Sequence, residues 1–419
     1  MTSPADMRRG LALRSYLAAT HLIPLVAKPI LTRRQKRGKE HAKRWREKLG
    51  LDLAPRPSGP LIWLHAVGLG EVLSLRGLIE RLRVARPDLS FLVTSSTSAS
   101  ATVFAKNAPA RTIHQFLPLD APAYRKRFLD HFAPDLCIWV EQDLWPGMVS
   151  DLAARGIPQC MVGARMNARS FRSHQRAASL YRDIYGAMTI ITAQDQATAD
   201  HLSALGSNAE VGGSLKPAAP ELQIDRDMLE TVRQHLAERF VWTVAPAHTE
   251  DIAIARAAHD QLRQTDPDAL LIIAPRFPDH PLGVSGPRRS AGEMPRQTDP
   301  VWVFDTFGEM GLVYRLVRAA LIGGTFSDIE GHNPWEAAAL NCAIMHGPRT
   351  ANFATDYARL TDASAAIPIQ TADDIVAALT SPNREATIEN AARVLTTASA
   401  QVDTLAQRLL QVLEASNGR

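Results

Sequence analysis

Short runs of apolar residues alternate with longer segments of helical spacing along the chain from residue 60 onward. Runs of this length without internal polar positions are typical of strands buried on both faces of a sheet. In the first half the predicted strands are 61–67, 91–94, 136–140, 159–163, 189–192 and 209–212. In the second half they are 240–245, 270–274, 301–304, 319–322, 343–346 and 366–369. Strands that alternate with helices predict right-handed βαβ units and parallel sheets covered on both faces.

The alternation is interrupted once, at the Pro-Ala-Ala-Pro segment between Lys216 and Glu221, which we interpret as a linker. A chain of 419 residues also exceeds the usual size of one hydrophobic core. We therefore predict an α/β protein with two Rossmann-like domains, 51–215 and 222–385. A basic arm at 1–50 precedes them, and a helix at 386–419 returns toward the N-terminal domain. Ligands of such sheets bind at the carboxyl ends of the strands, so two facing domains predict a central cleft.

Charge is concentrated in the N-terminal arm. Residues 1–50 hold 13 Lys and Arg against 3 Asp and Glu, a net charge of +10, whereas the whole chain carries +4, so residues 51–419 sum to −6. No nucleic-acid recognition motif accompanies this charge, and we predict no nucleic-acid partner. The three cysteines are scattered and lack metal-ligand spacing, which is typical of reduced cysteines in a cytoplasmic protein.

The arm itself combines an apolar segment with a basic one. Residues 11–31 are apolar but contain Arg14, Lys28 and two prolines, which argues against a transmembrane span. The run from Arg33 to Lys48 supplies nine of the basic residues around Trp45. This combination favours attachment to an anionic membrane surface. The alternative is a solvated helix face that packs on the domain.

The stretch from residue 321 to 340 is the strongest candidate for a ligand site. It predicts a strand end, a Gly323-Gly324 turn, a polar loop and a helix that starts at Asn333-Pro334. Glycines beside a helix N-terminus can bring backbone N–H groups close to an anion. Glu336 in the first helical turn can accept two hydrogen bonds from a diol. The alternative is an ordinary strand-loop-helix joint in which Glu336 offsets the helix dipole.

Other polar residues follow predicted strands in both halves. In the first half Glu71 follows a glycine-rich turn, and its alternative role is again to offset the helix dipole. Further candidates on that side are Glu141, Asp143, Arg165 and Arg169. In the second half we expect Lys216, His248, Arg276 and Asn333 to form an anion-binding set.

Several motifs together carry a resemblance to a known family. They are HAVGLGEV, EQDLWPG, GARMNARS, GSLKP, APAH, PRFP, DTFGEMGLVY, GGTF…EGHNPWEAAAL and GPRTANF. In this order they resemble the 3-deoxy-D-manno-octulosonic acid (Kdo) transferases, over about residues 33–360. The resemblance implies a GT-B glycosyltransferase that moves Kdo from CMP-Kdo to the lipid A precursor (lipid IVA) in lipopolysaccharide biosynthesis. It implies no metal and no cofactor, and a location at the cytoplasmic face of the Gram-negative inner membrane.

The resemblance also implies roles for the candidate residues. Glu71 would be the general base of an inverting transfer. The donor CMP-Kdo would be bound by Lys216, His248, Arg276, Gly324, Asn333 and Glu336. The acceptor would be supported by Glu141, Asp143, Arg165 and Arg169. The sequence departs from the family pattern at Gly68, Gln142-Asp143, Ser214 and Phe277.

Two other classes of function remain open from the sequence. One is a different GT-B enzyme, such as the lipid A disaccharide synthase or a nucleotide-sugar epimerase. The other is a non-catalytic membrane adaptor with a degenerate GT-B fold. Glu71, Arg276 and Glu336 argue against the adaptor.

Overall fold

The computed structural model describes residues 7–38, 40–280 and 283–417, apart from the side chains of Leu69, Ala99, Lys106 and Asn417. The chain divides into two compact units. The first is formed by Met1–Ala219 and Ser399–Arg419, and the second by Pro220–Ala398.

The first unit begins with two arm helices and continues as a strand-helix alternation. The arm helices are α1 (Leu11–Thr20) and α2 (Ile23–Lys36), followed by a 3-10 turn at Trp45–Leu49. The strands are β1 (Leu61–His65), β2 (Ser90–Ser95), β3 (Thr112–Phe116), β4 (Leu136–Val140), β5 (Gln159–Ala164), β6 (Ile190–Ala193) and β7 (Glu210–Val211). The helices among them are α3 (Leu69–Ala85), α4 (Ser98–Lys106), α5 (Pro122–Phe132), α6 (Pro146–Ala154), α7 (Ala168–Gln175), α8 (Ala178–Tyr185) and α9 (Gln196–Ala204).

The second unit repeats the alternation. Its strands are β8 (Val241–Ala247), β9 (Leu270–Pro275), β10 (Val301–Val303), β11 (Ala319–Ile322), β12 (Ala343–His346) and β13 (Ala366–Pro368). Its helices are α10 (Arg226–Leu236), α11 (Thr249–Leu262), α12 (Met310–Leu316), α13 (Trp335–Ala338), α14 (Ala354–Asp362) and α15 (Ala372–Thr380). The last helix, α16 (Arg384–Asn417), contributes residues to both units.

Both sheets are parallel and doubly wound. The first has the order β3-β2-β1-β4-β5-β6-β7, and the second has the order β10-β9-β8-β11-β12-β13. The direction in which strands are added reverses between β1 and β4 in the first sheet and between β8 and β11 in the second. Ligands of open α/β sheets bind at such reversals, beyond the carboxyl ends of the strands. The topology therefore indicates one candidate site in each unit.

Burial explains why most strands could be predicted from the sequence. Every residue of β1, β2, β4 and β9 is buried, and apart from His65 in β1 and Ser90, Thr94 and Ser95 in β2 these strands are continuous apolar runs. The strand that the sequence analysis missed is β3, an edge strand with His114 and Gln115 in its centre. Tertiary contacts bind part of their polar groups, since Ser95 Oγ lies 2.8 Å from His114 Nε2 and Gln115 Oε1 accepts from the amide of Ala54 at 3.0 Å. Gln115 Nε2 is buried without a hydrogen-bond partner in the described residues.

The core of each unit lies on both faces of its sheet. In the first unit one face is packed by α3 and by Val402, Leu409 and Leu413 of α16. The other face holds an aromatic group that includes Trp63 and Trp139, whose ring centroids are 5.4 Å apart. The apolar stripe of α16 from residue 402 onward covers the first sheet.

The arm is attached to the first unit by one apolar face. Ala27 and Leu31 of α2 pack against Leu49, Ala121 and Tyr124. Beside this contact the buried Lys48 ammonium donates to Glu40 at 2.5 Å and to the backbone oxygen of Ser96 at 3.0 Å. Part of the predicted basic run therefore points inward and fixes the arm.

The helix predicted at Asn333-Pro334 is shorter than expected. It comprises the four residues Trp335–Ala338, with Pro334 as its N-cap, and Asn333 Oδ1 accepts a hydrogen bond from the amide of Trp335 at 3.2 Å. Asn341 then adopts a left-handed conformation with φ of 58°, and β12 begins two residues later. A single helical turn has a weak dipole, so the predicted anion site at this N-terminus loses most of its electrostatic basis.

Candidate active site

The candidate site of the first unit surrounds the reversal between β1 and β4. Glu71 lies in the first turn of α3, directly beyond β1, and Glu141 follows β4 immediately. The charge of Glu71 raises the pKa of Glu141, which places the two carboxylates close to each other. The structure therefore brings together two residues that the sequence analysis chose at separate strand ends.

The carboxylate of Glu71 is held by the backbone in front of its own helix. Its Oε2 accepts a hydrogen bond from the amide of Val67 at 2.9 Å, because the N-cap Gly68 lets the chain turn tightly into α3. Within the described residues its Oε1 accepts no hydrogen bond. A β-carbon at Gly68 would lie 3.0 Å from Glu71 Oε1, so glycine leaves room beside this oxygen. One oxygen thus fixes the side chain and the other remains an available proton acceptor.

Glu141 is held in an unusual backbone conformation. Its φ is 59°, in the left-handed region that residues other than glycine rarely adopt. Burial and the charge of Glu71 raise the pKa of Glu141, while Lys216, Arg165 and a hydrogen bond with Gln194 act in the opposite direction. Backbone strain at a buried carboxylate is typical of functional sites.

Lys216 lies in a different place from the one predicted. We expected it in the anion-binding set of the second half, but it belongs to the first unit, where its charge acts on Glu141. The segment from Lys216 to Ala218 is held against α3, since a β-carbon on Gly77 would lie 1.9 Å from the backbone oxygen of Ala218. The chain thus stays with the first sheet beyond the predicted domain end at residue 215.

Asp143 belongs to a chain of hydrogen bonds that runs through His65 to Thr94. His65 is fully buried at the end of β1, and its Nε2 lies 3.0 Å from Asp143 Oδ2. Thr94 Oγ1 lies 2.8 Å from His65 Nδ1, so each ring nitrogen of His65 has a polar partner. Trp145 Nε1 also donates to Asp143 Oδ2 at 3.1 Å.

These contacts decide the charge of Asp143. Burial alone would raise its pKa, but the hydrogen bonds from His65 and Trp145 outweigh burial, and the pKa is lowered. Asp143 is therefore held as an anion beside the carboxylate pair. His65 was missed by the sequence analysis, and its position at the end of β1 was the available signal.

The two arginines proposed on this side have different surroundings. Arg165 follows β5, and its positive charge acts on Glu141. Arg169 is exposed in α7, and no hydrogen bond or ion pair in the described part of the chain joins it to this cluster. The structure supports Arg165 as a member of the site and leaves Arg169 outside it.

The candidate site of the second unit surrounds the reversal between β8 and β11. His248 is the N-cap of α11, directly after β8, and Arg276 follows β9. His248 Nε2 lies 2.8 Å from His332 Nε2, and the two rings are stacked with an interplanar angle of 8°. Burial and the charges of His248 and Arg276 lower the pKa of His332 to about 4. At neutral pH the pair is therefore uncharged.

Asp251 organises the loop after β11, and the sequence analysis did not select it. Its fully buried carboxylate accepts hydrogen bonds from the amides of Gly324 at 2.6 Å, His248 at 2.9 Å and Phe326 at 3.3 Å. The amide of Gly324, which we expected to face an anion, is therefore occupied within the protein. Gly324 has φ of 72°, and a β-carbon there would lie 3.1 Å from the ring of His332. Glycine is required because the histidine ring covers it.

Arg276 and Glu336 lie near each other in the same unit. Burial raises the pKa of Glu336, while a hydrogen bond from Asn333 at 3.3 Å and the charge of Arg276 lower it. The charge of Arg276 also lowers the pKa of His248. Within the described residues no carboxylate forms an ion pair with Arg276, so its guanidinium remains available to an anion. Phe277, which departs from the family pattern, is exposed and lies edge-on to His248.

In the described residues, no group of three or more His, Cys, Asp or Glu side chains is placed to hold a metal ion. In the same residues no helix has the length and apolar character needed to cross a bilayer.

Comparison with known proteins agrees with this fold. A family model described as 3-deoxy-D-manno-octulosonic-acid transferase (kdotransferase) matches residues 43–219. The probable mitochondrial 3-deoxy-D-manno-octulosonic acid transferase of Arabidopsis thaliana is 32% identical over 361 residues, which are 81% of this chain and 80% of the relative. The corresponding transferase of Rickettsia bellii is 30% identical over 350 residues, 81% of this chain and 83% of the relative.

A solved glycosyltransferase from Rickettsia africae superimposes with a TM-score of 0.54 at 11% identity, covering 86% of this chain and 99% of that protein. The two doubly wound sheets have the GT-B fold, as the sequence predicted. The chain belongs to the 3-deoxy-D-manno-octulosonic acid transferase family, because its relatives match over about four fifths of both chains. The predicted family resemblance is confirmed, and a non-catalytic adaptor is excluded.

Proposed function

We propose that this enzyme transfers Kdo from CMP-Kdo to a hydroxyl of the lipid A precursor lipid IVA, with inversion at the anomeric carbon. Curated relatives over most of the chain are named as Kdo transferases, which supports Kdo as the transferred sugar. The observation that carries the mechanism is the carboxylate of Glu71. Its Oε2 is fixed by the amide of Val67, and its Oε1 is left as an acceptor.

The reaction requires one proton acceptor and one stabilised leaving group. The acceptor hydroxyl gives its proton to Glu71 Oε1 while its oxygen attacks the anomeric carbon of Kdo. The bond from that carbon to the phosphate oxygen breaks, and the electron pair leaves with CMP. Attack from the side opposite to CMP inverts the configuration, so no protein nucleophile is needed. General-base catalysis of this kind contributes a factor of about 10²–10⁴ in rate.

The neighbours of Glu71 favour this role. Burial and the charge of Glu71 raise the pKa of Glu141, which lies close to Glu71. Lys216 and Arg165 supply positive charge to the same pair. We therefore assign Lys216 to the support of the carboxylate pair, in place of the predicted contact with the donor.

The donor is assigned to the second unit. Arg276 has no ion pair in the described chain and would bind the CMP phosphate through charge-assisted hydrogen bonds. Glu336, hydrogen-bonded by Asn333, would accept hydrogen bonds from the ribose hydroxyls. The uncharged rings of His248 and His332 contact each other near Arg276. Fixed positive charge at the phosphate stabilises the charge that develops on departing CMP.

We expect no metal requirement, because Arg276 can provide the cation that a metal supplies in other transferases. Activity should persist when EDTA is present at a concentration that removes Mg²⁺ from the assay. Activity that disappears in EDTA and returns with added Mg²⁺ would contradict this assignment.

A lipid acceptor also requires contact with a membrane, and we assign that contact to the arm at the cytoplasmic face of the inner membrane. One side of α1 and α2 packs on the first unit, but large apolar side chains on the other side are exposed. Their exposed fractions are 82% for Leu11, 63% for Leu22, 74% for Leu25, 51% for Val26 and 51% for Ile30. Exposed apolar residues interspersed with Lys28, Arg33, Lys36 and Arg37 fit an anionic interface.

The structure also shows which basic residues of the arm are already paired or buried. Arg34 pairs with Glu40 at 2.6 Å, Arg44 pairs with Glu47 at 2.6 Å, and Lys48 is buried. These residues stabilise the arm and are poorly placed to attract lipid headgroups.

The direct test is product analysis by mass spectrometry. Purified enzyme is incubated with tetra-acylated lipid A precursor and either CMP-Kdo or a UDP-sugar. We expect the mass of one or more Kdo units to be added from CMP-Kdo alone. Transfer from the UDP-sugar would indicate the disaccharide synthase, and conversion of the free nucleotide sugar without acceptor would indicate an epimerase.

A further inference from the structure

A cavity of about 950 Å³ lies in the second unit at the amino-terminal edge of its sheet. Its lining includes Phe240, Arg318 and Asn341, which precede β8, β11 and β12. The proposed donor residues lie beyond the carboxyl ends of these same parallel strands. Because even the four-residue β11 is about 13 Å long, the cavity and the donor site are separate places.

Arginine dominates the charge of this cavity. It is lined by three glutamates, Glu221, Glu238 and Glu385, and by five arginines, Arg233, Arg239, Arg315, Arg318 and Arg384. Arg315 forms an ion pair with Glu221 at 2.8 Å. Arg239 is surrounded by backbone oxygens and donates to those of Asp268, Arg296 and Asp299. These two arginines are therefore satisfied by the protein itself.

Arg318 and Arg384, in contrast, do not pair with a carboxylate in the described residues. The guanidinium of Arg318 is exposed and makes no hydrogen bond or ion pair within the described residues. Arg384 lies over the ring of Phe240, 5.1 Å from its centroid, and donates to the backbone oxygen of Leu379. Its Nε is buried without a hydrogen-bond partner, and no described carboxylate pairs with it. A planar guanidinium held on an aromatic ring is prepared for bidentate contact with an anion.

The backbone around the cavity is strained. Eight described residues other than glycine have positive φ, and two of them, Ala237 and Asn341, line this cavity. Ala237 ends α10 with φ of 49° and ψ of −128°, a conformation that normally requires glycine. Strain of this kind is often found around ligand sites.

We propose that this cavity binds a small phosphorylated sugar, at a site separate from that of the donor. The phosphate is bound by Arg318 and Arg384, neither of which forms an ion pair with a carboxylate in the described part of the chain. The sugar hydroxyls donate hydrogen bonds to Glu238 and Glu385, whose carboxylates line the same cavity. Its volume lies within the range of about 300–1,000 Å³ that is usual for sites of small organic ligands.

The test is calorimetric titration of the full-length enzyme with glucose 6-phosphate at low salt. CMP is present at saturating concentration, so that the proposed donor site is occupied. We expect binding of one glucose 6-phosphate per chain, no binding of glucose, and affinity that falls as salt rises. Absence of glucose 6-phosphate binding to the wild-type enzyme would overturn the proposal.

Substitutions of the two arginines test whether glucose 6-phosphate binds in this cavity. Arg318→Ser and Arg384→Met should each weaken glucose 6-phosphate binding about tenfold, the usual effect of losing a charge-assisted hydrogen bond, and the double variant should abolish it. Methionine at 384 retains packing on Phe240, and unchanged thermal unfolding would confirm that the variants fold. Arg256→Ser, an exposed arginine of α11 outside the cavity, is the matched control and should bind normally.

Equal affinity in the double variant and the wild-type enzyme would refute the assignment. So would a double variant that loses binding to phosphatidylglycerol vesicles but keeps its affinity for glucose 6-phosphate, because the cavity would then recognise lipid headgroups.

Discussion

The reversal points of the two sheets have the same strand topology but carry side chains of different charge. At the β1/β4 reversal the structure collects the carboxylates of Glu71, Glu141 and Asp143. At the β8/β11 reversal it places Arg276 beside two neutral histidines and a buried aspartate that binds backbone amides. The same topology can therefore present a proton acceptor in one unit and an anion-binding group in the other. The chemistry depends on which side chains follow each strand.

The largest effect is expected at Glu71. Glu71→Gln removes the proton acceptor and keeps a side-chain oxygen that can still accept from Val67, so turnover should fall by at least about 10²-fold. Affinity for CMP should stay unchanged, because CMP is assigned to the second unit. Turnover would be measured as Kdo transferred per enzyme, and CMP affinity by calorimetry.

The matched control is Glu80→Gln, which changes an exposed glutamate on the same helix that pairs with Arg83. It should retain full turnover. Near-normal turnover of Glu71→Gln would remove Glu71 from the mechanism and leave Glu141 as the next carboxylate to test.

The second largest effect is expected at Arg276, in the second unit, and concerns CMP binding. Arg276→Ala should weaken CMP binding by about 1.5–3 kcal/mol, the value of a charge-assisted hydrogen bond. Calorimetry measures this directly, with Arg256→Ala as a control at an exposed arginine of the same unit. If CMP affinity is unchanged by Arg276→Ala, the phosphate must be bound elsewhere.

The third effect concerns the arm, which belongs to the first unit and should influence the lipid but not the nucleotide. Serine at Leu22, Leu25, Val26 and Ile30 should reduce partitioning to anionic vesicles by about tenfold or more, since each side chain loses apolar burial. Deletion of residues 1–31 is a weaker experiment, because Leu13, Ala27 and Leu31 are buried against the unit.

A second arm variant tests the charges. Glutamine at Lys28, Arg33, Lys36 and Arg37 should weaken vesicle binding at low salt and have less effect at high salt. Val84→Ser, at an exposed apolar residue of α3, is the control. Vesicle binding that is equal for neutral and anionic lipids, or unchanged in both arm variants, would contradict the proposal.

The last effect concerns the pH dependence of stability and comes from the histidine pair of the second unit, His248 and His332. Burial and the charges of His248 and Arg276 lower the pKa of His332 to about 4, whereas an unfolded histidine titrates near 6.5. The unfolded chain therefore binds a proton first, so this contribution to stability is complete above pH 6.5 and is lost as pH falls toward 4.

Between about pH 7 and pH 5 the wild-type enzyme should lose about 2 kcal/mol more unfolding free energy than His332→Asn. Urea unfolding at both pH values measures the difference. His21→Asn, at an exposed histidine of the arm, should behave as wild type. An identical pH dependence in His332→Asn would show that the pair does not contribute to acid sensitivity.

Most strands were predictable because strands buried on both faces must be apolar along their whole length. Twelve of the thirteen strands in the described residues overlap the predicted ones, and only β3 was missed. Its central His114 and Gln115 carry polar groups that the sequence pattern counts against burial. Their hydrogen bonds with Ser95 and Ala54 exist only in the folded chain.

The candidate site was predictable to the extent that it depends on strand ends. Glu71, Glu141, His248 and Arg276 were selected because each follows a strand, and parallel strands end at a common edge. His65 and Asp251 were missed although His65 is the last residue of β1, and Asp251 lies in the first turn of α11. Their roles come from partners 78 and 73 residues away in the sequence, respectively.

The sequence by itself determined the α/β class, the two-part organisation and the family, because periodicity, strand length and ordered motifs are local properties of the chain. Only the tertiary structure decided that Lys216 acts on Glu141, that Gly324 donates its amide to Asp251, and that Arg34, Arg44 and Lys48 of the basic run stabilise the arm. Each of these depends on a contact between distant segments. Hydrogen bonds and ion pairs act over a few ångströms in space, and a sequence pattern does not show which of many possible partners the packed core brings within that distance.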